Sequence, residues 1–598
     1  MKKIRYITSC LLLAWIGCTS CSDDFLQRTP QTKLTAEGFF NNASDLQLYV
    51  NGLYTSSMRF GKDVYMDQES DNYTYYINST PLDQILTGNV TPENFGGWDG
   101  WEQLRAINYL LAHTPKATGA QADIDHWVGI TRYFRSLWYF DKIVSYSDVP
   151  WYGRPLETDD GELLYKASDP RTLVVDSVLA DLQFAVDHVK ADMGDKTAIH
   201  KYAALAQMSR FCLFEGTFRK YHPELSLQNT ADRFLEKAVW AAEQLMNSGL
   251  FDITGNSGAD YGALFNSPGG TLKDNKDVIL MFNVSRESSV GHNAYWLLES
   301  HAVALTNSLM ETYLMADGTP FTGQPGYNEK TVIEAFRDRD PRLTETFVPP
   351  GWVMPFTGAV WFNFPSRGGY GQLKSYPVDL SLRNGWDQNY NALPIYRYAE
   401  VLLNYAEAKA ELGTLTQADV DNTVNRLRDR VGMTGMAHLN LAAANAAPDA
   451  VLAEQYDRVT GASRGVILEI RRERRVEMAC ESLRFRDITR WAAGKLFSQH
   501  EKGMYVPALG PLDITGDGVP DVAFIRKGDP EPEGIAQIVY VGAEEGIELD
   551  GPGGTSGHVT FTADRINKKP FEEPKWYYRP IPLYQTQLNP QLKQVFGW

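Results

Sequence analysis

The sequence predicts a mainly α-helical chain of stacked antiparallel helix pairs, displaying large irregular excursions and a few short strands. Two observations predict it. Apolar residues recur at i, i+3, i+4 spacing in several stretches joined by short connectors, as in helices packed side by side. Between these runs lie long segments rich in Gly, Pro, Asn, Asp and aromatics, the composition of loops.

Taken in chain order, the front end comes first. Met1-Lys2-Lys3-Ile4-Arg5 is cationic, and Leu11-Leu12-Leu13-Ala14-Trp15-Ile16 is apolar. The apolar run falls short of the roughly 20 residues a spanning helix needs, so it reads as a secretion signal. Gly17-Cys18-Thr19-Ser20-Cys21-Ser22-Asp23-Asp24 follows, a small residue before a cysteine directly after the apolar run. This resembles the lipobox of bacterial lipoproteins, in which the cysteine is acylated. Cys21 is the expected anchor, with Cys18 as the alternative. Ser-Asp-Asp after Cys21 looks like the acidic surface-export signal of Bacteroidetes lipoproteins. Residues 1–20 are then a signal peptide and 21–598 one mature domain.

Within 171–190, Val175, Val178, Leu179, Leu182, Val186 and Val189 form one apolar stripe. Similar stripes run over about 198–218 and 231–248, the latter ending near Gly249. Segment 396–412 carries Tyr398, Val401, Leu402, Tyr405 and Ala406 on one face and stops at Gly413, and helices at 417–431 and 463–480 follow. The excursions are expected at about 55–100, 250–390 and 500–570, with a short strand at Asp277–Phe282. Loops this long in a compact protein usually carry function. Cys212 and Cys480 fall inside helical patterns and read as buried free thiols.

A formal charge of −17 with only 57 Lys and Arg excludes a nucleic-acid backbone as partner. The Arg-rich stretch 471–475 alternates with glutamates and reads as a charged helix face. Gly461-Ala462-Ser463-Arg464-Gly465 satisfies Gly-x-Ser-x-Gly, but a polar, helical stretch precedes it instead of the strand a nucleophile elbow needs. Ser463 is expected to cap the next helix. No catalytic residue is assigned. Asp513, Thr515, Asp517, Val519 and Asp521 are spaced like the first part of an EF-hand loop, with Gly518 at its sharp turn. The twelfth position is Phe524, so the loop is either a structural calcium site or an Asp-Gly turn. No other cofactor is implied.

With 14 Trp and 31 Tyr, the chain is rich in rings that offer a flat apolar face and a polar handle. Those in irregular segments are the ligand candidates: Tyr73, Tyr75, Tyr76, Trp98, Tyr295, Trp296, Trp352 and Trp361. Trp101 is assigned to the scaffold.

A family resemblance spans the chain. Thr35–Phe40 through Val50–Tyr54, Trp101–Asn108, and Arg132–Asp141 closing on Asp148-Val149-Pro150 resemble SusD/RagB proteins. So do Arg339–Leu343, Tyr396–Ala408, Arg472–Glu477 with Glu481–Trp491, and Arg579–Pro582 through Gly597-Trp598. Glu-Ser-Leu-Arg stands here where that family commonly has Glu-Gly-His-Arg. The resemblance implies a right-handed, tetratricopeptide-like helix-pair superhelix with variable loops on one side. It further implies an outer-membrane lipoprotein facing the medium, a SusC-like TonB-dependent β-barrel as partner, and an oligosaccharide or peptide as cargo. The reading is oligosaccharide binding without catalysis, with a RagB-like peptide binder and a surface glycoside hydrolase as alternatives.

Overall fold

The computed structural model describes residues 39–58, 67, 69–76, 80–300, 302–361 and 363–598. Cys18 and Cys21, and the side chains of Tyr75 and Tyr76, lie outside the described residues.

The scaffold is helical. It comprises α1 (Ala43–Ser57), α2 (Trp101–His113), α3 (Gln121–Tyr146), α4 (Arg171–His188), α5 (Lys201–Tyr221) and α6 (Asp232–Met246). After the largest excursion come α7 (Tyr398–Glu411), α8 (Val424–Arg430), α9 (Arg464–Glu477) and α10 (Arg484–Arg490). Helix α3 packs on α4, α4 on α5, α5 on α6 and α6 on α7, so successive helices lie side by side. Their apolar faces share one core.

The longest helix, α3, has no simple stripe in the sequence because it is buried nearly all round. Tyr133-Phe134 and Trp138-Tyr139-Phe140 are consecutive core residues. Helix α5 is likewise enclosed, with nearly every residue from Ala203 to Tyr221 buried. The stop of α7 follows the expectation. Gly413 adopts φ +72°, its N–H reaches the Ala410 carbonyl (3.1 Å), and the Thr414 N–H reaches that of Lys409 (2.9 Å). This is a Schellman cap, which glycine makes without strain. Residues 396 and 397 belong instead to a strand.

The excursions hold ten short strands among the described residues: β1 (Tyr73–Tyr76), β2 (Val278–Met281), β3 (Val303–Leu305), β4 (Pro394–Arg397), β5 (Tyr505–Val506), β6 (Gly510–Leu512), β7 (Val522–Ile525), β8 (Gln537–Tyr540), β9 (Ile547–Leu549) and β10 (Gly557–Phe561). Antiparallel pairs β1–β3 and β2–β4 stitch distant segments together, and β5-β10-β9 and β6-β7-β8 form two small sheets. β2 is the strand expected at 277–282, and all four of its residues are buried. A second apolar core lies beneath these strands, contributed by Leu305, Tyr313, Phe347, Tyr370, Phe524 and Val559. Cys212 and Cys480 are both buried free thiols.

Helix α9 corrects one expectation. Arg471, Arg472, Glu473, Arg474, Arg475 and Glu477 are at most 4 % exposed, so this is no solvated face. The charges are matched by groups remote in sequence, which local alternation cannot reveal. Glu477 accepts from Arg430 (2.5 Å), Arg397 (2.8 Å) and Arg342 (3.0 Å). Glu473 pairs with Arg342 (2.6 Å) and Arg428 (2.9 Å). Asp71 joins Arg484 (2.7 Å) and Arg475 (3.1 Å), and Glu407 joins Arg490 (2.5 Å). Burial alone would push the Glu477 carboxyl up. The guanidinium groups of Arg430, Arg397 and Arg342 outweigh it and hold the carboxyl well below the usual range.

Removing one member of such a network leaves an uncompensated buried charge. Glu477→Ala is expected to lower unfolding free energy by about 3–5 kcal/mol in urea at pH 7. Glu157→Ala, removing the exposed partner of Arg105, should change it by less than about 1 kcal/mol. Because the folded pKa of Glu477 is depressed, its contribution is present above the unfolded carboxylate value of about 4.3 and is lost as pH falls through the folded value. Equal effects from the two variants would contradict the assignment.

Candidate functional site

Three of the sequence-predicted aromatics, Tyr295, Trp352 and Trp361, converge on one apolar cluster, and Trp296, next to Tyr295, packs against the second core. Tyr295 and Trp296 open a single helical turn, Tyr295–Glu299. Trp352 and Trp361 face one another across a hairpin: the Trp361 N–H donates to the Trp352 carbonyl (2.8 Å), and the Met354 N–H to that of Ala359 (2.8 Å). Tyr295, Trp352 and Trp361 pack with Phe356 against Tyr376, Leu298 and Val348. Trp352 and Phe356 stand edge-on to the Tyr376 ring, at 5.7 and 6.2 Å.

A turn missed by the sequence reading completes this ledge. The Asn384 N–H donates to the Gln388 carbonyl (3.0 Å), and Gly385 (φ +131°) and Asp387 (φ +53°) fold the turn tightly. Trp386 sits at its tip, 53 % exposed, with its ring edge-on to Trp296 at 6.1 Å and 81°. His292 and Asn389 exchange backbone hydrogen bonds of 3.0 and 2.9 Å, tying this turn to the root of the 295–299 turn. The buried His292 imidazole, pushed down to about 4 by desolvation, is neutral. Its Nδ1 accepts from the Ala294 N–H, so its Nε2–H donates to the Asn391 carbonyl (2.9 Å). Gly385-Trp386-Asp387 repeats the Gly97-Trp98-Asp99 tripeptide, and Trp386 lies in an irregular segment as Trp98 does, so the signal that selected the other aromatics also marks it.

One ion pair braces the ledge from within. The Arg383 guanidinium lies over the Tyr295 ring (4.3 Å) and over the Phe356 ring (3.9 Å). Both ends of its fork donate to Glu299, which also accepts from the Tyr376 hydroxyl (2.6 Å). A cation in contact with two rings and neutralised by a carboxylate that also holds the Tyr376 hydroxyl links three rings at once.

Two candidates go elsewhere. Tyr73 is buried in the second core, where its hydroxyl donates to Gln372 Oε1 (2.8 Å) and accepts from the Asp67 N–H (3.1 Å). Trp98 is 5 % exposed and plugs the helical core, edge-on to Tyr146 (4.7 Å) and 5.5 Å from Trp101. The glycines around Trp98 do not display it. Gly97 (φ +104°) and Gly100 (φ +83°) fold the segment inward, and Lys142 Nζ clamps the carbonyls of Gly97 (3.3 Å) and Asp99 (2.7 Å).

Ser463 occupies the first position before α9, but its side chain makes no capping bond. A Cβ on Gly465 would overlap the Ala444 carbonyl, so this glycine serves close packing. The preceding segment is a helix, Ala450–Gln455, and no nucleophile elbow forms.

In the 513–521 loop, Asp513 accepts N–H bonds from Thr515 (3.0 Å), Gly516 (2.6 Å) and Gly518 (2.8 Å), and Asp521 accepts from Ile514 (2.9 Å) and Thr515 (3.0 Å). Asp517 accepts from the Val519 N–H (2.8 Å). Burial pushes the Asp513 carboxyl up, and these amides outweigh it and hold it low. The oxygens that would bind calcium face backbone donors, the geometry of an Asp-Gly turn. No cluster of three or more His, Cys, Asp or Glu suited to a metal occurs among the described residues.

Comparison with known proteins places this architecture. A profile described as the SusD family matches residues 262–598. SusD-like protein P2 of Formosa agariphila is 23 % identical over 535 residues, covering 83 % of this chain and 92 % of its own. A solved SusD-like carbohydrate binding protein from Bacteroides fragilis NCTC 9343 superposes with a TM-score of 0.69 at 22 % identity, covering 93 % of this chain and all of its own. A second SusD-like protein from the same organism gives 0.68 at 20 % identity, covering 96 % of this chain and all of its own.

For the 513–521 loop, Asp513→Ala is expected to cost about 1–2 kcal/mol by leaving its N–H donors without their acceptor. Chelation should leave the melting temperature unchanged, and calcium titration should release no heat. A Tm drop on chelation would assign the loop to a metal.

Proposed function

The chain belongs to the SusD family, and from that premise we propose that it is a cell-surface lipoprotein that captures oligosaccharide on the aromatic ledge. It then passes its cargo to a SusC-like TonB-dependent barrel. The observation that carries the ligand reading is the Trp386–Trp296 pair, an exposed ring supported edge-on by a second ring on a clamped turn. The axial C–H face of a sugar stacks on such a ring while polar neighbours bond its hydroxyls. A solved protein of the same fold, described as carbohydrate binding, supports this class of ligand.

The engagement of Glu299 supports binding without cleavage. Glycoside hydrolysis needs two carboxyl groups placed across the scissile bond. Glu299 is occupied by Arg383 and Tyr376 and holds the rings in place. Its role is to preorganise the surface, which lowers the cost of ordering on binding.

Among the described residues, no helix is long and apolar enough to cross a membrane. The lipobox-like sequence supports membrane attachment through an acylated Cys21. Each buried methylene of an acyl chain contributes about 0.8 kcal/mol, so several chains on one cysteine anchor the protein durably.

Two experiments test these readings. In isothermal titration against an oligosaccharide panel, Trp386→Ala or Trp296→Ala should weaken binding by about 1–2 kcal/mol. Trp386→Ala should leave the melting temperature unchanged. Release of free sugar during the assay would make the chain a hydrolase, and binding to peptides alone would overturn the glycan reading. On fractionating cells, Cys21→Ala should move the chain out of the membrane fraction. Retention in the membrane would shift the anchor to Cys18 or elsewhere.

A further inference from the structure

The segments that build the ledge, 283–300, 348–367 and 376–392, contain no lysine, and their arginines are Arg286, Arg367 and Arg383. Each of these cations is already engaged. Arg383 is neutralised by Glu299. Arg286 donates to the Ser381 carbonyl and lies over the Tyr390 ring at 4.8 Å. Tyr390 and Leu382 are joined by a backbone hydrogen bond (2.8 Å), so Arg286 sits at the base of the hairpin whose tip is Trp386. Arg367, beside Trp361 and Phe364, is engaged as well.

The groups around Trp386 are of another kind. The Asn384 amide donates to Gln388 Oε1 (2.8 Å), which leaves Asn384 Oδ1 to accept and a Gln388 N–H to donate. Asp387 follows the ring directly. It is exposed, and no described residue bonds or pairs with its carboxylate. Its backbone is held in the left-handed region (φ +53°), which aspartate and asparagine tolerate, and its N–H donates to Asn293 Oδ1 (3.4 Å). A Cβ on Gly291 would overlap the Asp387 carbonyl, so the turn is seated against the backbone at 291. Two further carboxylates of these segments, Glu287 and Asp379, are exposed.

We infer that the ledge selects neutral glycans over those bearing carboxylate or sulfate groups, with Asp387 as the specificity-determining residue. The inference rests on the ledge being the sugar surface. An acidic sugar on Trp386 would give up water around its anion with no cation to replace it. Its charge would also come within a Debye length, about 8 Å at physiological salt, of the adjacent Asp387 carboxylate. A neutral sugar offers hydroxyls instead, which donate to Asp387 and Asn384 and accept from Gln388.

Calorimetric titration of the full chain tests this with hexasaccharides of glucose, mannose and galactose, each set against the hexasaccharide of its uronic acid. In low salt the best neutral probe should bind about ten-fold more tightly than its uronate counterpart, and the gap should narrow at about 0.15 M salt. Asp387→Asn suits the left-handed turn and removes the charge. It should narrow the low-salt gap about three-fold and leave the melting temperature unchanged. A uronate that binds as tightly as its neutral counterpart, and that Trp386→Ala weakens, would overturn this inference and leave the ledge reading standing. A gap that Asp387→Asn does not alter would overturn the role of Asp387. Sugar binding that neither Trp386→Ala nor Trp296→Ala weakens would overturn the ledge reading, and this inference with it.

Discussion

Glu477 is a carboxylate with no access to water and three arginines around it, each from a different part of the chain. A buried ion of this kind is tolerated only when its partners arrive with good geometry, so the folded arrangement is strongly specified. Arg342 brings in the excursion that follows the 307–312 turn. Arg397 brings in β4, and with it the β2–β4 pair. Arg430 brings in the end of α8. Asp277, at the foot of β2, shares Arg397 and Arg430, and Glu481 holds Arg397 and Lys374. The interaction therefore sits where the helical scaffold meets the loops.

The ledge depends on that junction at both roots. Lys374 and Arg342 flank a short ladder in which Leu373 bonds Thr346 and Val348 bonds Gly371. This ladder carries the 352–361 hairpin at one end and Tyr376 at the other. The β2–β4 pair continues through the bond from Phe282 to Leu393 toward Asn389 and Asn391, which fix His292 and the Trp386 turn. The loops that carry these aromatic side chains are thus tied back to the scaffold by backbone hydrogen bonds. A weak, shallow ligand surface gains most from such rigidity, because little ordering remains to be done on binding.

Much of the scaffold was legible in the sequence, and the reasons are local. Periodicity placed α4, α6 and α7, and Gly413 marked its own cap, because both signals lie within a few residues. Helix α3 escaped because burial on all sides erases the stripe. The charged run of α9 was misread because its partners, Asp71, Arg342 and Arg397, lie far away in sequence. The same limit split the site candidates. Tyr295, Trp352 and Trp361 gather in one cluster with Trp296 beside it, whereas Tyr73 and Trp98 turn inward on hydrogen bonds and glycine geometry that composition does not record. Trp386 carried the same turn signature as Trp98, and only long-range contacts decide which of the two is displayed.

The account stands most directly on the ledge being a preorganised sugar surface. A structure of the chain with a bound oligosaccharide tests this. The expected result is a sugar ring within about 4 Å of the Trp386 or Trp296 ring, with both side chains in their present rotamers and the surrounding backbone shifted by less than about 1 Å. A sugar bound away from these rings, or a ledge that has to refold to admit it, would contradict the account.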